Sequence, residues 1–106
     1  MIPDDFRRIA LSMSRSVEVH RQGHSKFRVG RKTFATLEGP ADSMAFVRFT
    51  PEQQATFVTK EPAVFVRVSG GWGRLGTTRV HMAAADEATV RNAISVAWAN
   101  VVTRDT

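Results

Sequence analysis

Residues 16–49 read SVEVHRQGHSKFRVGRKTFATLEGPADSMAFVRF, and the spacing of the apolar residues in them decides the fold. Short runs at 17–20, 26–29, 33–38 and 44–49 alternate apolar with polar side chains, which is the period of a half-buried strand. Gln22-Gly23, Gly30-Arg31 and Gly39-Pro40 fall between the runs, where the chain must turn. A meander of three or four antiparallel strands is expected.

Working outward, Phe6, Ile9, Ala10 and Met13 recur at helical spacing, with Pro3 suited to a first turn and Asp4 and Asp5 favourable to the helix dipole there. Downstream, Thr50-Pro51-Glu52-Gln53 reads as a helix start, Thr50 capping and Gln53 reaching back, and this helix ends before Pro62. Residues 64–68 and 77–82 read as two further strands around a glycine-rich connection at 69–76. Asp86 caps a last helix, whose buried stripe is Val90, Ala93, Ile94, Ala97, Trp98 and Val101. The order α-β-β-β-(β)-α-β-β-α predicts an α+β fold with a single antiparallel sheet and helices packed on one face. The other face of such a sheet can meet water.

The 106 residues, 42% hydrophobic and 24% charged, suit one domain, 1–106, with its own core. With no cysteine there is no disulfide, thiolate nucleophile or Cys-based zinc site. No apolar run approaches the roughly 18 residues of a membrane span, and residues 1–6 carry Asp4 and Asp5 where a secretory signal would be basic and then apolar. A cytoplasmic, monomeric protein that does not engage a membrane is expected. Fifteen Lys and Arg against ten Asp and Glu leave a formal charge of +5, which makes an anionic partner, nucleic acid first, worth weighing. The charges are dispersed, however, and drift in composition would give the same excess.

Alternation partitions each strand. Phe27 and Val29 oppose Lys26 and Arg28; Val64, Val66 and Val68 oppose Phe65 and Arg67; Thr78, Val80 and Met82 oppose Arg79 and His81; Val47 and Phe49 oppose Arg48. If the apolar sets face the helices, Lys26, Arg28, Arg48, Arg67 and Arg79 share the open face. They form either a basic binding surface or the solvated, charged strand face that many sheets carry.

Gly71-Trp72-Gly73-Arg74-Leu75-Gly76 matches G-x-G-x-x-G, but residues 77–82 continue as a strand, whereas a dinucleotide site needs a helix there. What remains is a glycine-rich hairpin loop. It could be a wing whose Arg74 and Arg79 meet phosphates while Trp72 stacks or wedges. Equally, Trp72 could fold back as a plug on the core, which the usual burial of Trp favours. His20 and His24 straddle the Gln22-Gly23 turn, and the carboxylates, from Asp4 to Asp105, form no pair that alternation or helical spacing would bring together. No metal, cofactor or catalytic constellation is expected, and the protein is not read as an enzyme unless a concave pocket brings His20, His24 or His81 to a carboxylate.

Several stretches, spanning about residues 6–102, resemble the MmcQ/YjbR family of small bacterial proteins. They are Phe6-Arg7-Arg8-Ile9-Ala10-Leu11-Ser12, Val17-Glu18, Gly23-His24, residues 27–37 (FRVGRKTFATL), Thr50-Pro51-Glu52-Gln53-Gln54, residues 70–80 (GGWGRLGTTRV) and Ala97-Trp98. The resemblance implies a fold similar to that of CyaY, the bacterial frataxin homologue, and DNA binding through a double-wing arrangement. Ser25-Lys26 departs from the family, many of whose members carry a proline and then an acidic residue there, so Lys26 is not carried over by it. Asp4 and Asp5, followed by Arg7 and Arg8, do not make the acidic ridge of frataxin-type iron binding. The expectation is phosphate-dominated, weakly sequence-specific binding of double-stranded DNA by Lys26, Arg28, Arg48, Arg67, Trp72, Arg74 and Arg79. The alternative is a protein-interaction or small-ligand-binding domain that Trp72 and Leu75 dock, its positive charge incidental.

Overall fold

A computed structural model describes residues 1–104; Asp105, the last of the carboxylates surveyed above, lies outside them. Helix α1 (Pro3–Ser12) leads into a four-stranded meander of β1 (Val17–Arg21), β2 (His24–Val29), β3 (Lys32–Glu38) and β4 (Met44–Arg48). Then come α2 (Pro51–Lys60), β5 (Phe65–Arg67), a one-turn helix α3 (Gly71–Arg74), β6 (Thr77–Val80) and α4 (Glu87–Arg104). The six strands form one sheet in the order β1-β2-β3-β4-β6-β5, every neighbouring pair antiparallel. The expected α+β architecture is present, with the fourth meander strand formed.

Local chemistry sets the element ends. The Thr50 hydroxyl accepts from the Gln53 amide at 3.2 Å while the Gln53 side chain accepts from the Thr50 amide at 2.9 Å, closing the expected capping box. Asp86 accepts from the Thr89 amide at 2.8 Å at the head of α4. Between β1 and β2, Gln22 and Gly23 both take positive φ (44° and 82°), the two-residue turn whose twist matches that of the strands it joins. Between β2 and β3 the register slips by one residue at Phe34, and that fully buried side chain joins the core.

The helices cover one side of the sheet. Helix α4 lies across β2, β3 and β4, with α1 beside it on β3. Val90, Ala93, Ile94, Ala97 and Val101 are buried against Phe27, Ala35, Leu37 and Val47, and α1 adds Phe6, Ile9 and Ala10. Trp98, expected in that stripe, sits half-buried at its margin and donates its indole N–H to the Ser14 carbonyl at 2.8 Å. At the other end of the same face, Phe57 of α2 stacks on Phe49 (centroids 4.4 Å apart) and meets Phe65 edge-on at 5.0 Å. The Gln54 amide closes the layer by donating to the Thr77 carbonyl at 2.9 Å and to Thr78 Oγ1 at 3.2 Å.

This aromatic cluster corrects the reading of β5. Phe65 pairs with Val80 and Arg67 with Thr78, both on the helix side, while Val66 pairs with Arg79 on the opposite side. Phe65 is fully buried and Val66 is 41% exposed, the reverse of the expected partition. Burying a phenylalanine among two others outweighs burying a valine, and the shift by one residue carries Arg67 off the open face. Phe65→Ala should cost about 3–5 kcal/mol in urea unfolding, whereas Val66→Ala should cost less than about 1 kcal/mol. Equal losses would mean that β5 faces the other way.

Candidate functional site

The uncovered face is ordered by the strand register. One row crosses it as Val19, Lys26, Thr36, Phe46, Arg79 and Val66. On one side of that row stand Arg28 and Arg48, with Thr77 opposite Arg48. On the other stand Arg21, paired with His24, and Glu38, paired with Met44. Four of the expected residues, Lys26, Arg28, Arg48 and Arg79, thus lie on this face, and Arg67 does not. Arg67 and Arg74 instead line a cleft against α2, with Gln54, Ala55 and Val58.

The expected hairpin wing takes a different form. Residues 71–74 make one helical turn, held by Arg74 N–H to the Gly70 carbonyl at 3.2 Å and Leu75 N–H to the Gly71 carbonyl at 3.1 Å. The turn is compressed onto the sheet at two points. A Cβ on Gly73 would collide with the Val68 carbonyl oxygen, and one on Gly76, whose φ is +113°, with the Phe49 carbonyl oxygen. Those two glycines therefore carry the packing that a plugging indole would otherwise supply. Trp72 is no plug: it is 63% exposed, and Leu75 beside it is 71% exposed. The indole lies at the open sheet face, with the Arg48 guanidinium over its ring at 5.6 Å from the centroid.

Beneath Trp72 the face sinks into a depression of about 430 Å³, lined by His24, Lys26, Thr36, Glu38, Phe46, Arg48, Val68 and Thr77. Phe46 and Glu38 are not singled out from the sequence; His24 is, as one of three histidines that a concave pocket could bring to a carboxylate, and this depression holds it with Glu38. Phe46 and His24 are within reach, since they share the parity of Arg48 and Lys26 two residues on; Glu38 is joined to the site only by cross-strand register.

Charge is divided between the two faces. Among the described residues, Arg7 bridges Asp4 (2.9 Å), Glu18 (3.1 Å) and Asp42 (2.7 Å), and Arg8 and Arg91 hold Glu87 at 2.7 and 3.0 Å, all on the helix side. The bond to Asp42 foremost holds Arg7 above its ordinary pKa, and Arg8 foremost holds the Glu87 carboxyl below the usual carboxylate range. No such bridge reaches Lys26, Arg28, Arg48 or Arg79. Burial pulls Arg48 below its ordinary pKa, and Glu38, the one carboxylate on the open face of the described strands, offsets this in part. The Nε atoms of Arg28 and Arg79 are buried without a hydrogen-bond partner. A guanidinium that has lost water and gained no carboxylate bridge, as that of Arg48 has, gains from an arriving anion.

No group of three or more His, Asp or Glu among the described residues could hold a metal ion. His20 is engaged elsewhere, its Nδ1 within 2.8 Å of the Ser25 hydroxyl on the helix side. No helix in the described residues is long and apolar enough to cross a membrane.

No family model matches the chain, and no curated protein matches it. Among solved structures it is similar to the crystal structure of the Deinococcus radiodurans protein DR2400, which carries a DUF419 domain. The TM-score is 0.79 over 99% of this chain and 81% of that one, at 12% sequence identity. The likeness extends over the whole chain and is one of fold.

Because Gly73 and Gly76 meet backbone and Gly71 meets nothing within 4 Å, the three glycines of the loop motif should respond differently to alanine. Gly73→Ala and Gly76→Ala should each destabilise by more than about 2 kcal/mol in thermal unfolding, and Gly71→Ala by less than about 1 kcal/mol. A uniform response would contradict the close approach of this turn to the sheet.

Proposed function

We propose that the open sheet face binds nucleic acid through its phosphates. The observation that carries this reading is the set of four cations, Lys26, Arg28, Arg48 and Arg79, gathered on one face without a carboxylate bridge, while the helix-side arginines are satisfied by acidic neighbours. Clustered, unneutralised bases on one surface are the electrostatic footprint of a polyanion partner. The motifs shared with the MmcQ/YjbR family point the same way, and in this reading the chain is a monomeric, cytoplasmic protein of that kind. Duplex DNA is bound weakly and with little base preference, since no helix or ribbon projects from the face to enter a major groove. Trp72 borders the binding face and Arg74 the α2 cleft, and the two meet with Leu75 along the outer side of the turn.

A second reading is favoured by the adjoining exposed side chains of Trp72 and Leu75, an apolar pair that a protein partner could cover. The two differ in their response to salt. Four phosphate contacts predict a slope of about −3.6 in log K against log salt for a labelled duplex of about 20 base pairs, measured by fluorescence anisotropy. Arg79→Gln should reduce that slope by about 1, and Arg67→Gln with Arg74→Gln should leave it unchanged. Absence of binding at low salt, or loss of binding through Arg67 and Arg74 instead, would refute the assignment and turn attention to the Trp72–Leu75 surface.

A further inference from the structure

The depression beneath Trp72 is more than a phosphate surface requires. Phosphates ask only for donors and positive charge, yet the middle of this face holds Phe46, an accessible indole, and a carboxylate, Glu38, that repels them. We propose that the depression receives an unpaired nucleobase, so that the preferred partner is a single strand and not a duplex; this rests on the nucleic-acid reading above and narrows it. A duplex hides the faces of its bases in the stack and offers only groove edges and phosphates, whereas a single strand can lay a base on an aromatic side chain. Arg48 holds the indole at the sheet face by covering one side of its ring at 5.6 Å, and 63% of Trp72 stays accessible, so the ring face that Arg48 leaves open is a stacking surface before the ligand arrives.

The volume, about 430 Å³, lies within the range of sites that enclose small ligands. Glu38 then has a purpose: it accepts from the amino group on a base edge, the pairing that carboxylates make with cytosine N4. Lys26, Arg28 and Arg79 stand around the depression, where the phosphates on either side of the inserted base would lie.

The test uses the full chain carrying Trp98→Phe, so that Trp72 is the only fluorophore, with three probes: oligodeoxycytidylate and oligodeoxythymidylate of about 12 nucleotides, and a duplex of about 20 base pairs. The single strands should quench Trp72 and bind at least about tenfold more tightly than the duplex. Trp72→Ala, followed by anisotropy, should weaken single-strand binding about tenfold and duplex binding less than about twofold. Glu38→Leu, which removes the acceptor, should abolish a preference for cytidylate over thymidylate, a ratio insensitive to net charge because both strands carry the same phosphates. Duplex binding as tight as single-strand binding overturns the proposal, as does an ineffective Trp72→Ala or a base preference that Glu38→Leu leaves intact. If the duplex still shows its salt slope in any of those cases, the polyanion reading survives without the base site; if neither probe binds, both fall together.

Discussion

The packing of α4 on the centre of the sheet is the constraint from which the rest of the molecule follows. Val90, Ala93, Ile94, Ala97 and Val101 present one apolar stripe, and Phe27, Ala35, Leu37 and Val47 present the complementary side of β2, β3 and β4. Helices α1, α2 and α4 pack on one face of the six-stranded sheet. Once they are committed to that face, alternate residues of the strands are left on the uncovered side. The character of the open face is thus fixed by strand parity, and any function it has is written in the residues that parity leaves outside.

Those residues form an unusual mixture for a merely solvated face. Val17, Val19, Phe46, Val66 and Val68 lie among Lys26, Arg28, Arg48 and Arg79, and among the described residues the last four make no carboxylate bridge. The helix layer shows that carboxylates were available to neutralise arginines, since Arg7 alone meets Asp4, Glu18 and Asp42. Arg48 is the most telling. It is desolvated between the sheet and the Trp72 ring, keeps its charge at any physiological pH, and has only the nearby Glu38 to offset the cost. An anion that replaces lost water at these guanidiniums gains more than it would at freely hydrated lysines.

Much of the fold was legible because it rests on local chemistry. The capping box at Thr50 and Gln53, the Asp86 cap and the stripe of α4 are set by residues within one or two turns of each other, and strands alternating with Gly-containing turns define the meander. What could not be read depends on contacts distant in sequence. Residues 64–68, VFVRV, carry apolar side chains on both parities, so alternation alone cannot orient β5; the stack with Phe49 and Phe57 decides it. That one-residue difference removed Arg67 from the face. The turn at 71–74 was equally opaque, since a glycine-rich segment has little helical preference. Gly73 and Gly76 press backbone onto backbone there, and this close packing leaves Trp72 outside where the burial typical of Trp had suggested a plug. Glu38 joined the site through register alone, which no single strand reveals, whereas His24 shares the parity of Lys26 on β2.

The central claim is that the working surface is the face the helices leave bare. Amide and indole chemical-shift mapping by NMR, during titration with a short unlabelled oligonucleotide, examines it residue by residue. The account predicts shifts confined to Lys26, Arg28, Thr36, Phe46, Arg48, Thr77, Arg79 and the Trp72 indole, with α1, α4 and the Trp98 indole silent. Shifts centred on the helix layer, around Arg7, Arg8 and Arg91, would contradict it.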